Sequence, residues 1–118
     1  MPRPSPLLVM LLLSAAAGGE CAVSAEDPVS FRREIAPLLL ERCVACHNDK
    51  KAEGGLRVDS FAHLMGEGDS GPAVTAGDAG KSELFVRIES EIAEERMPAE
   101  GAPLTSAEIG LFERWIAA

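Results

Sequence analysis

Apolar residues fall into separate clusters along the chain, and the spacing within each decides what it can form. From Leu7 to Ala17 the sequence is an uncharged run dominated by leucine and alanine, shorter than the about 20 residues a membrane-spanning helix requires. Phe31, Ile35, Leu38 and Leu39 then recur three and four apart, which predicts a helix between Pro28 and Arg42 with one apolar stripe. Pro37 interrupts it, removing a backbone donor, so the helix must bend there or restart near Ala36. Glycines spread through polar sequence make most of residues 48 to 81 loop. Within it, Leu56-Arg57-Val58 alternates like a short extended piece, and Asp59 or Ser60 can cap a brief helix carrying Phe61, Leu64 and Met65. Leu84, Phe85 and Ile88 define a helix from Ser82 to about Ser90. A charged, exposed stretch, Glu89 to Arg96, follows, and then Met97-Pro98, where the proline biases Met97 towards extended backbone. Thr105-Ser106-Ala107-Glu108 is a capping box, and it opens a helix bearing Ile109, Phe112, Trp115 and Ile116. The pattern predicts a small all-α domain with long glycine-rich loops and no internal repeat.

The first cluster changes what counts as the folded chain. Arg3, the Leu7–Ala17 run and the small residues Val23-Ser24-Ala25 form the three parts of a secretory signal peptide, here residues 1–25. A lipoprotein signal modified at Cys21 is the rival, weakened because Glu20 stands where a small residue should precede the cysteine. Residues 26–118 then form one domain of an exported, periplasmic or equivalent, protein with no stable membrane span. Of three cysteines, Cys21 leaves with the signal, and Cys43 and Cys46 remain. Four Phe, one Trp and no Tyr make a thin core, of the kind that small domains supplement with a disulfide, a metal or a large cofactor. A formal charge of −8 disfavours nucleic acid and anionic lipid and favours a basic docking partner.

The chemistry concentrates in Arg42-Cys43-Val44-Ala45-Cys46-His47. Two thiols two residues apart, followed at once by an imidazole, are the attachment pattern of a c-type haem: the thiols add across two vinyl groups and His47 binds the iron. A small-loop disulfide, a thiol redox pair and a zinc half-site are the other readings of this spacing. A redox pair calls for a βαβ setting that the pattern lacks. Zinc needs further ligands, and His63 is the one other histidine. For the sixth iron position Met97 is the first choice, lying between two helices just ahead of a proline. Met65, His63 and an open site are the alternatives. Arg57 and Arg96 are candidate partners of the haem propionates. Trp115, Phe112 and Phe31 are placed to join the terminal helices.

These pieces resemble the planctomycete-type cytochrome c domain, a branch of the class I cytochrome c fold. The resemblance runs through Glu34-Ile35-Ala36-Pro37-Leu38-Leu39, the Cys43–His47 block, Gly54-Gly55-Leu56-Arg57-Val58-Asp59, Gly71-Pro72-Ala73-Val74, Arg96-Met97-Pro98 and Glu108-Ile109 with Trp115-Ile116. It implies one haem c attached at Cys43 and Cys46, axial His47 and Met97, and terminal helices crossing beside the ring. The expected role is that of a single-electron carrier, not an enzyme, working with redox partner proteins. A haem-bearing subunit or sensor with a displaceable sixth ligand is the second expectation, and a haem-free thiol module the third.

Overall fold

The structure, a computed structural model, describes residues 27–118; the expected signal peptide, residues 1–25, lies outside them. Ser30 caps the first helical segment: its hydroxyl accepts from the Arg33 amide (3.3 Å), and its own amide donates to the Glu34 carboxylate (2.7 Å). The first turn, Phe31–Ile35, is wide, closing on a bond from the Ala36 amide to the Phe31 carbonyl. Helix α1, Ala36–Arg42, follows with Pro37 in its first turn. The proline explains both features. Within a continuous α-helix its ring would meet the Arg33 carbonyl and its missing N–H would leave that carbonyl unpaired, whereas at a helix start no donor is needed. The restart expected near Ala36 is therefore present, in the form of a π-turn.

Beyond α1 come a 3₁₀ turn (Glu53–Gly55), helix α2 (Phe61–Leu64), strands β1 (Glu67–Gly68) and β2 (Gly71–Pro72), a second 3₁₀ turn (Ala79–Lys81), helix α3 (Glu83–Glu89) and helix α4 (Ser106–Ala117). The all-α expectation needs correction: β1 and β2 pair antiparallel, Glu67 opposite Pro72 and Gly68 opposite Gly71. Two glycines make this hairpin possible. Gly71 has φ +108°, a conformation that side chains rarely adopt, and a Cβ on Gly68 would lie 3.1 Å from the Gly54 carbonyl oxygen. That same carbonyl accepts from the Asp69 amide at 2.8 Å, so the hairpin is seated directly on the Glu53–Gly55 turn.

Ile35, Leu39, Phe85, Ile88, Phe112 and Ile116 are among the buried residues that join α1, α3 and α4 into one core. Phe31 bridges its edge, 5.2 Å from the Trp115 ring and 5.2 Å from that of Phe61. Ser60 caps α2, but the expected apolar stripe is only one residue deep: Leu64 is buried, while Phe61 and Met65 are 54% and 39% exposed. A helix of four residues cannot cover three apolar side chains against a single neighbour. The buried Ser82 stitches the preceding loop to α3, its hydroxyl accepting from the Thr75 amide (2.8 Å) and donating to the Asp78 carbonyl (2.8 Å).

At α4 the Thr105 hydroxyl accepts from the Glu108 amide (3.2 Å) and the Glu108 carboxylate accepts from the Thr105 amide (2.9 Å). Thr105→Ala removes one half of this reciprocal cap and should cost about 1 kcal/mol, read as a lowered denaturant midpoint with an unchanged slope.

Candidate functional site

The Cys43–His47 block is a turn built on the last turn of α1. The amides of Cys43 and Val44 both donate to the Leu39 carbonyl (3.0 and 2.9 Å), and those of Cys46 and His47 both donate to the Cys43 carbonyl (3.2 and 3.1 Å). Such a turn leaves carbonyls facing outward, and Asn48 satisfies two of them. Its amide donates to the carbonyls of Val44 (2.7 Å) and Ala45 (3.3 Å), while its side-chain oxygen accepts from the amides of Lys50 and Lys51, both at 2.9 Å. The sequence reading counted Asn48 as loop. Its signal was an Asx residue directly after a turn, which commonly caps backbone groups on both sides.

The returning chain then fixes His47. Val58 donates its amide to the His47 carbonyl at 2.9 Å, and His47 forms an isolated antiparallel bridge with Ala52. On the ring, Nδ1 lies 3.3 Å from the Leu56 carbonyl oxygen. A carbonyl can only accept, so Nδ1 carries the proton and Nε2 keeps its lone pair for a metal.

Cys43, Cys46 and His47 line a cavity of about 450 Å³, within the range of cofactor sites. Leu56, Val58, Ala73, Leu84 and Ile88 supply apolar wall, and Met97 and Pro98 line it too; the Met97–Pro98 peptide is cis. Met97 is held by its amide, which donates to the Arg87 carbonyl on α3 at 3.0 Å. The other sequence candidates for the iron lie elsewhere. Met65 is exposed and outside the cavity, and His63 is exposed with Nδ1 2.6 Å from the Ser60 hydroxyl.

Cys43 and Cys46 are free thiols. Burial pushes the Cys43 thiol up to about 11, against the lowering effect of Arg42 and with a further rise from Cys46. Among the described residues no three His, Cys, Asp or Glu side chains gather as a metal-holding group. A haem fits what is present: two free thiols on the cavity wall, one imidazole with its tautomer set, apolar surroundings and the volume for a flat ring.

The family profile described as planctomycete cytochrome C matches residues 43–101, half of the 118-residue chain. The chain belongs to the planctomycete cytochrome C family. No curated protein and no solved structure is found to match. The matched region of this planctomycete cytochrome holds every site residue the sequence singled out, from Cys43 to Met97. Membership brings haem c binding and a haem-based electron-transfer role, that of a carrier more than an enzyme. Domains of this kind are usually extracytoplasmic, and among the described residues no helix is long and apolar enough to cross a membrane.

The cations at the cavity differ from those expected. Arg42, Lys51 and Arg87 line it, whereas Arg57 and Arg96 do not. Arg57 is spent on Asp59, donating from Nε (3.1 Å) and Nη2 (2.7 Å) to its carboxylate. These bonds hold the Asp59 carboxyl below its usual 3.8. A depressed carboxyl contributes stability above its unfolded value and loses it as pH falls through the folded one. Arg57→Ala should therefore destabilise the haem-loaded protein slightly near neutral pH, since surface pairs are weak. The difference from wild type should shrink as pH falls below the usual carboxyl value of 3.8, as followed by denaturant titration across pH. A gap that persists in acid would remove the pair as its cause.

Proposed function

We propose that the chain is an exported, mono-haem c-type cytochrome that carries single electrons, with haem thioethers at Cys43 and Cys46 and the iron held by His47 and Met97. The observation that carries this reading is that these four side chains line one apolar cavity. The haem, when bound, supplies a one-electron Fe(III)/Fe(II) couple. His47 would bind through Nε2, with its orientation fixed by the Leu56 carbonyl. Met97 would add a soft, neutral thioether that favours the reduced state and raises the potential. The apolar residues Leu56, Val58, Ala73, Leu84 and Ile88 would shield the bound group from water. The raised Cys43 thiol runs against a thiol redox module, which needs a depressed one.

Exposed Glu41, Glu53 and Glu100 stand at the cavity. With the net charge of −8, they favour a redox partner that presents basic groups. An accessory-subunit role with a displaceable sixth ligand is supported by one feature, the loop that carries Met97, whose residues 90–103 include none that is fully buried.

Expression with the intact leader in a host that matures c-type cytochromes tests the proposal. Haem should stay with the protein through acid-acetone extraction, and haem released into the solvent would sink the covalent attachment. The native reduced protein should bind carbon monoxide slowly, whereas Met97→Ala should bind it fast and show a markedly lower potential. An unchanged potential in Met97→Ala would move the sixth ligand elsewhere.

A further inference from the structure

The loop that carries Met97 presents a physical problem that two arginines answer. Residues 91–95 are exposed, and full burial of the chain resumes only at Leu104. Half-buried Met97 packs against the core edge, but one thioether side chain is a weak anchor for a loop of this length. The remaining hold is polar. Midway along the loop, Arg87 holds it at two points, of which only the second depends on its side chain: its backbone carbonyl accepts from the Met97 amide (3.0 Å), and its Nη1 donates to the Glu95 carbonyl (3.5 Å). The same guanidinium reaches the Ser70 hydroxyl in the hairpin turn (3.5 Å) and is aimed by Glu83 Oε1 on Nε (2.6 Å). At the end of the loop, the Arg42 guanidinium donates to the Ala102 carbonyl. Both arginines line the cavity.

We propose that Arg87 and Arg42 are positioning residues that clasp the Met97 loop at Glu95 and Ala102, on either side of Met97, and so set how firmly Met97 holds the iron against competing ligands. The inference rests on the His47/Met97 reading above. The clasp acts on local opening more than on global unfolding. The bonds at 3.5 Å are long and individually weak, and the loop they restrain contributes little to the core. An exogenous ligand binds only to the fraction of molecules with Met97 displaced, so its apparent affinity measures the open population. Removing a tether raises that population without touching either the thioethers or His47.

The test is imidazole binding to the oxidised, haem-loaded protein, followed spectroscopically beside the global unfolding free energy. Arg87→Ala should tighten imidazole binding by roughly two- to fivefold, with little change in global stability and with covalent haem retained. Arg42→Ala should act in the same direction. Arg87→Lys, which keeps the charge and loses the fork, should fall between wild type and Arg87→Ala. Should Arg87→Ala not fold, Arg87→Lys and Glu83→Gln carry the test and must each tighten binding. Imidazole affinity at the wild-type level in these variants overturns the clasp, as does a gain matched by an equal loss of global stability. Met97→Ala separates the two levels of argument. If wild type binds imidazole as tightly as Met97→Ala, Met97 is not the ligand and the parent reading fails; if Met97→Ala binds far more tightly while the arginine variants match wild type, the clasp alone fails.

Discussion

Nearly every hydrogen-bonding group of His47 is committed within the described chain, and the site follows from that. Its amide donates to the Cys43 carbonyl, its carbonyl accepts from Val58, and Nδ1 donates to Leu56. Nε2 is the ring atom left for a metal. The first bond closes the turn that holds the two thiols, and the other two pull the returning strand-like segment against it, placing Leu56 and Val58 on the cavity wall. A single residue thus ties the thiol-bearing turn, one cavity wall and the proposed iron ligand together. None of this depends on a large core, which suits a domain with so few aromatic side chains.

The molecule divides its stability between two kinds of construction. Three helices share a buried apolar core in which Phe112 and Ile35 are fully enclosed, and the reciprocal cap at Thr105 and Glu108 fixes where the last helix enters it. The cavity side is built differently, from turns whose polar groups are answered one by one: Asn48 over the thiol turn, and the Gly54 carbonyl beneath the hairpin. Backbone groups in irregular segments must find partners when shielded from water, and short polar side chains beside each turn supply them. Such a wall can follow a flat ring closely, because its path is not dictated by helical or strand periodicity.

This division also explains what could be read from the sequence. Helices α1, α3 and α4 were legible because apolar residues three and four apart leave few alternatives, and because Pro37 and the Thr105–Glu108 pair act through local backbone chemistry. The attachment turn was legible for the same reason. The hairpin was not, since two-residue strands made of Glu, Gly, Gly and Pro carry no alternating apolar signal. Met65 was misjudged because its spacing from Phe61 and Leu64 suits a helix face, while burial depends on what lies opposite. The cavity cations carried no signal of their own: Arg57 pairs with Asp59 two residues away, whereas Arg87 lines the cavity with its Nε held by Glu83, one helical turn earlier.

The arginines at the cavity point to how this fold separates two tasks. Holding a haem by thioethers requires only that one turn be rigid, and α1 with Asn48 makes it so. Holding a sixth ligand requires a distant loop to stay in place with no core of its own. On the proposed ligation, the weakest thermodynamic link of the site would lie in the polar tethers of residues 90–103, and ligand exchange could then be altered by changing surface side chains while the core and the thiol-bearing turn stay intact. Local opening free energies can be far smaller than global ones. A carrier and a ligand-binding variant of this chain would differ there, in a few hydrogen bonds to Arg87 and Arg42, and not in the motif that attaches the ring.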